Sequence, residues 1–192
     1  MLDQALKFYI KTHLFLGEEH SILGNWFNIY FTENNGMAYG IELEGGYGKL
    51  ILSLFRILAV VAIAIYLFKL NKKNAPQGLI ISIALIFAGA MGNIIDSAFY
   101  GLIFNDSSYQ IAEFMPSGGG YANFLHGKVV DMLYFPICQT HFPTWFPFWG
   151  GEECIFFRPI FNLADASITI GVALILIFQK RFFLKEKDPV LE

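Results

Sequence analysis

Asn93 and Asp96 stand three residues apart at the end of one apolar run, and Asn162 and Asp165 repeat that spacing at the start of another. Residues three apart share one helical face, so each pair offers an amide beside a carboxyl. Asp131 is a third acid in apolar company, within Gly127-Lys128-Val129-Val130-Asp131-Met132-Leu133. Ionisable groups at or inside a membrane span are expensive and point to function by default. An isolated Asn or Asp at a span end is more often a helix cap, and Asp165 has that reading open to it. Two matching faces and a third apolar-flanked acid together weigh against it. Two carboxyls held close cannot easily both ionise, so one keeps a proton and the other stays charged. The charged group takes a proton from water while the neutral one polarises a carbonyl. That is peptide hydrolysis without a covalent intermediate.

Other chemistries fit poorly. There is no His-Glu-x-x-His, and His13, His20, His126 and His141 show no ligand spacing, so no metal and no cofactor is expected. Ser167 follows Asp165 by two residues without a base nearby in sequence, and reads as a packing residue. Arg56, inside an apolar run, is expected to snorkel toward the outer interface. The net charge of −3 argues against nucleic acid, which needs a basic patch.

The elements that must position these groups are membrane elements. Hydrophobic residues make up 55% of the 192 and charged residues 15%, where a soluble domain carries about a quarter charged; the mean hydropathy is +0.50. Aromatics reach 17%, which suits extensive interfacial surface. Apolar runs at 50–68, 79–96 and 160–179 each approach the roughly 20 residues needed to span. Residues 1–12, with Leu2, Ala5, Leu6, Tyr9 and Ile10 on one face, predict a partial first helix. No basic n-region and apolar h-region of a secretory signal is expected at the start.

Orientation follows from the basic residues. Lys69, Lys72 and Lys73 sit at the first inter-span link, and Lys180, Arg181, Lys185 and Lys187 follow the last span in the tail 180–192. Both clusters are expected on the cytoplasmic side, which leaves 13–49 and 97–159 facing outward. Trp26 to Thr32, the turn signal Glu33-Asn34-Asn35-Gly36, and Met37 to Glu44 predict a hairpin. Five of the seven prolines and Gly118-Gly119-Gly120 make 101–159 loop-rich. Cys138 and Cys154 lie on the oxidising side, where a disulfide and two free thiols are both open.

Read in order, five short boxes resemble those of the lipoprotein signal peptidases (signal peptidase II). They are Asp3-Gln4 with Lys7, Asn34-Asn35-Gly36-Met37-Ala38-Tyr39, Gly92-Asn93-Ile94-Ile95-Asp96, Val129-Val130-Asp131 and Phe161-Asn162-Leu163-Ala164-Asp165. One box is weak; five in order along nearly the whole chain are specific. The resemblance implies a membrane α-helical bundle of four transmembrane helices, the first incomplete here, with an extracytoplasmic β-rich cradle and capping loops. It implies that Asp131 and Asp165 are the catalytic pair of an aspartic endopeptidase. Asp3, Asn34, Gly36, Asn93, Asp96 and Asn162 would then shape the pocket and bind substrate. The Asn34 or Asn162 amide is placed to steady the tetrahedral oxyanion.

The implied substrate is a diacylglyceryl-modified prolipoprotein, cut before its lipidated cysteine, in the bacterial inner membrane with the active site outward. The expected partners are that substrate and membrane lipid, with the enzyme a monomer. A small proton-linked transporter or accessory subunit using the same carboxylates as a relay is the alternative, and it leaves the Asn-x-Gly-x-Ala box unexplained.

Three departures from the family stand out. Ser97 follows Asp96 where the family usually has Arg; residues 97–128 form a longer connection, open to acting as an extra cap; and only two residues precede Asp3. A first helix long enough to span would need roughly 10–15 further apolar residues upstream.

Overall fold

Backbone N–H and C=O groups find no partner in lipid, so long apolar runs satisfy them internally as helices. The computed structural model describes residues 1–24, 26–36, 48–136, 138–141, 143–145, 147, 151, 153–156 and 159–183. Helix α1 (Leu2–His13) is followed by strands β1 (Glu19–Leu23) and β2 (Phe27–Asn34) and by two long helices, α2 (Gly48–Lys72) and α3 (Gln77–Ile95). A π-helical turn at Asp96–Tyr100 and the short α4 (Gly101–Ile103) prolong α3. Then come β3 (Val129–Tyr134), β4 (Cys138–His141), β5 (Glu153–Phe156), β6 (Ile160–Phe161), α5 (Leu163–Ile177) and α6 (Gln179–Phe183).

Two helical stretches, Gly48–Lys72 and Gln77–Ile103, are long and apolar enough to cross a membrane, with mean hydropathies of 2.6 and 2.2. At 1.5 Å per residue α2 reaches about 37 Å, more than the roughly 30 Å of hydrocarbon. Its Ile51, Leu54, Phe55, Leu58, Val61, Ile65 and Phe68 remain exposed along the helix, as lipid-facing residues should. The 15 residues of α5 are equally apolar but shorter. Small residues bring α3 and α5 together: a Cβ on Gly89 would run into the Ala164 carbonyl, and one on Gly171 would lie 2.6 Å from the Ser82 carbonyl oxygen. Close backbone approach through glycine is how helices associate where lipid removes the hydrophobic drive.

Outside the helices, β1, β2, β3 and β6 form one antiparallel sheet in that order, and β4 pairs with β5. The register of β2 against β3 sets Thr32 opposite Asp131 and Asn34 opposite Val129, with an irregularity between Ile29 and Thr32. Side chains alternate across a strand, so Asn34 and Asp131 share one face. The hairpin partner expected at Met37–Glu44 lies outside the described residues; among those described, β2 pairs with β1 and β3. In the second sheet Cys154 is opposite Thr140 and Cys138 opposite Phe156. The two cysteine side chains, and with them the expected alternative of bridge or thiols, lie outside the described residues.

Part of the long connection packs behind the sheet, on the side away from Asp131. Its Phe104 and Ala112 join Ile10, Leu14, Phe31, Val130 and Met132 in one buried cluster, behind the strand position of Asp131. A charged cluster pins it there. Lys11, fully buried, pairs with Glu33 and donates to Ser107 Oγ at 2.7 Å. Lys128 Nζ lies 3.7 Å from both Glu33 and Asp106.

Candidate active site

Helix α5 begins where Asn162, in extended conformation, turns its side chain back as an N-cap. Its Oδ1 accepts from Asp165 N at 2.9 Å, and Asp165 Oδ2 accepts from Asn162 N at 3.4 Å. This reciprocal arrangement is a capping box. Asn162 is thus the cap itself, and Asp165, three residues on, closes the box with one carboxylate oxygen only. The other, Oδ1, accepts from Asn93 Nδ2 at 2.7 Å.

Hydrogen-bond chemistry fixes the direction of every amide here. Lys7 is an obligate donor, and its Nζ donates to Asn93 Oδ1 at 2.9 Å. Asn93 must then present Nδ2 to Asp165. Asn162, its oxygen engaged by the helix, presents Nδ2 to Asp131 Oδ1 at 2.7 Å and to Asn93 Oδ1 at 3.1 Å. Asn34 Nδ2 donates to the second Asp131 oxygen, Oδ2. The Asn34 and Asn162 amides expected to steady an oxyanion are thus engaged in holding Asp131. Asn162 touches both acids and links β3 to α5.

Asp131 is 5% exposed. Burial, and next the charge of Asp165, push its carboxyl up to about 7; the Asn162 and Asn34 hydrogen bonds and the Lys7 charge act in the opposite direction. Asp131 and Asp165 therefore differ in environment: one carboxyl is driven toward its protonated form beside another held by an amide and a helix terminus.

Beneath them Asp96 is fully buried. Its Oδ1 accepts from Gln4 Nε2 at 2.8 Å, its Oδ2 pairs with Lys7 Nζ at 2.8 Å, and Val130 N donates to it at 3.3 Å. Asp3 pairs with Lys7 at 3.1 Å and accepts from Ala164 N at 3.0 Å. Helices α1, α3 and α5 and strand β3 are thereby tied around one ammonium group. Ser97, in place of the family arginine, is buried and donates to Asn93 O at 3.1 Å. Gly36, at φ +90°, takes a backbone conformation that favours glycine, and its N–H donates to Asn34 Oδ1 at 2.5 Å.

All eight residues expected at the site thus converge: Asp3, Asn34, Gly36, Asn93, Asp96, Asp131, Asn162 and Asp165. Sequence reasoning passed over the central part of Lys7 and Gln4. The available signal was Lys7 four residues after Asp3, one turn on along the same face. Arg56 is the other omission. Its guanidinium, expected to snorkel toward the outer interface, ends on a protein partner, the Gly36 carbonyl. Among the described residues no group of three or more His, Cys, Asp or Glu is arranged to hold a metal.

The signal peptidase (SPase) II family matches residues 1–181. A lipoprotein signal peptidase of Porphyromonas gingivalis is 50% identical over 183 residues, covering 94% of this chain and 79% of that protein. One from Amoebophilus asiaticus is 37% identical over 182 residues, covering 92% of this chain and 72% of its own. A solved bacterial membrane enzyme, 27% identical, superposes with a TM-score of 0.60 over 100% of this chain and 88% of its own. A second, 29% identical, gives 0.58 over 97% and 87%. Matched from its first residue to its last described helix by sequence, and along its whole length by fold, the chain belongs to the signal peptidase II family.

Proposed function

We propose that this chain is an aspartic endopeptidase that removes signal peptides from diacylglyceryl-modified prolipoproteins, cutting before the lipidated cysteine, with Asp131 and Asp165 as its dyad. The observation that carries the assignment is Asn162, which donates to Asp131 at 2.7 Å while forming the capping box with Asp165. One residue thus holds both acids, Asp131 through its side-chain amide and Asp165 through its backbone N–H, which supports a pair of carboxyls in different environments at one site.

In this mechanism Asp131 holds the shared proton, because burial favours its neutral form, and Asp165 is the charged base. A water between them gives a proton to Asp165 and adds its oxygen to the scissile carbonyl. Asp131 donates its proton to the carbonyl oxygen, so the tetrahedral intermediate forms without net charge on that oxygen. Collapse breaks the C–N bond; the amine leaves with the proton from Asp165, and Asp131 is reprotonated from the hydroxyl. Atoms balance: water supplies OH to the new acid and H to the amine.

The same reading takes α1, α2, α3 and α5 as four membrane helices, the chain as a single integral membrane domain, and the sheet as an outward cradle. The basic residues at the α2–α3 link and after α5 support that orientation. A substrate held by its lipid tails at the outer boundary of the bilayer would present its cysteine at the depth where α3 ends and α5 begins. The relay alternative draws no support from the family or from the neighbours. The test is cleavage, by the purified protein in detergent, of a propeptide whose cysteine carries diacylglyceryl. Mass spectrometry is expected to find a cut immediately before that cysteine and none in the unlipidated peptide. No cut, or equal cutting of both, would reject the substrate class.

A further inference from the structure

Arg56 is the one arginine within the apolar stretch of α2, and a guanidinium there must be compensated. Its Nη2 donates to the Gly36 carbonyl. Gly36 N in turn donates to Asn34 Oδ1 at 2.5 Å, and Asn34 Nδ2 donates to Asp131 Oδ2. Three consecutive hydrogen bonds therefore run from a membrane helix to the buried carboxyl. Each has its direction set by its donor, because an arginine cannot accept and the Asn34 oxygen, once taken by Gly36, leaves only the amide nitrogen for Asp131. Gly36 suits the middle position. It takes φ +90°, and a Cβ there would stand 3.0 Å from the guanidinium carbon. Arg56 also interacts electrostatically with Asp165, Asp131 and Asp96.

We infer that Arg56 is a positioning residue of the reaction: through Gly36 and Asn34 it sets the orientation of Asp131, and its charge offsets the carboxylates around the site. The inference rests on Asp131 belonging to the dyad. Removing the first donor frees the Gly36 carbonyl and, through the Gly36 backbone, loosens the N–H that holds the Asn34 amide. The groups facing Asp131 are Asp165 and Asn162 from the start of α5, Lys7 from α1, Asn34 from β2 and, through that strand, Arg56 from α2. Loss of either the Asn34 hydrogen bond or the guanidinium charge disfavours the ionised form of Asp131.

The experiment compares full-length wild type, Arg56→Met, Arg56→Lys and Asp131→Asn in detergent on a diacylglyceryl propeptide, reading kcat, KM and the pH profile. Methionine suits a membrane helix, so insertion is retained. Arg56→Met is expected to lower kcat by about 10²-fold, the effect of a misplaced group, with KM changed no more than about twofold and the alkaline limb moved to higher pH. Arg56→Lys keeps the charge without the planar fork and is expected to retain at most about a tenth of kcat. A wild-type kcat in either variant overturns the inference, as does a lowered kcat with the alkaline limb unmoved, which would make Arg56 purely structural. If Asp131→Asn still cleaves, the dyad assignment itself is what fails; if it is inactive while Arg56→Met matches wild type, only the relay fails.

Discussion

Replacing Lys7 by Met should unfasten the base of the site. Lys7 and Asp96 are both 0% exposed and 2.8 Å apart, and the same ammonium holds Asp3 and the Asn93 oxygen. Removing one partner of a buried pair leaves the other charge unpaired, at a cost of about 3–5 kcal/mol. For a protein of this size each kcal/mol moves the melting temperature by about 2–4 °C, so the expected loss is about 6–20 °C. Thermal unfolding in detergent at neutral pH, followed by tryptophan fluorescence, measures it. Asp96→Asn added to Lys7→Met removes the stranded charge and should recover part of the loss, a coupling that a double-mutant cycle isolates. Activity should fall in the single variant as well, since Asn93 no longer has its oxygen engaged by an obligate donor. A melting temperature within about 2 °C of wild type would refute the reasoning that this ammonium organises α1, α3 and β3.

Three further outcomes follow from the same structure. Cleavage should decline as pH rises through about 7, because Asp131 then loses the proton it shares; a rate that stays flat to pH 9 would count against it. Stability runs the same way: the folded state keeps that proton above the unfolded value near 4, so this group's contribution weakens between about pH 4 and 7 as pH rises, readable as a melting temperature followed across that window. Gly89→Leu should separate α3 from α5, since even a Cβ would meet the Ala164 carbonyl, and both stability and cleavage should drop by more than for Gly118→Ala, whose Cβ would meet open space.

What could be read from the chain was what spacing and burial cost encode. The repeated Asn-x-x-Asp identified the ends of α3 and α5 because three residues define one helical face and a membrane penalises such groups. Asp131 was recognisable as an acid in apolar company. Its place in a strand, paired by register with Thr32, depends on a partner about a hundred residues away in sequence. Lys7 was visible beside Asp3, yet its bond to Asp96 spans 89 positions and only packing creates it. The π turn at Asp96–Tyr100 leaves no residue pattern of its own, although it ends α3 where Asp96 must turn toward α1. For Arg56 the general rule that long cations reach for the interface missed the acceptor, the Gly36 carbonyl. Within the long connection, Phe104 and Ala112 pack into the apolar cluster behind the sheet, a contact that no local pattern announces.

The central claim is that Asp131 and Asp165 act as one unit, and the rate of propeptide cleavage in Asp131→Asn, Asp165→Asn and the double variant tests it most directly. Asparagine keeps the volume and an acceptor oxygen for one of the two hydrogen bonds that each carboxyl receives, so all three should remain folded. Each single change is expected to lower the rate by at least about 10³-fold, with the double variant little slower than either, because groups that act together are non-additive. Near-normal cleavage by Asp131→Asn, or losses that multiply in the double variant, would contradict the account.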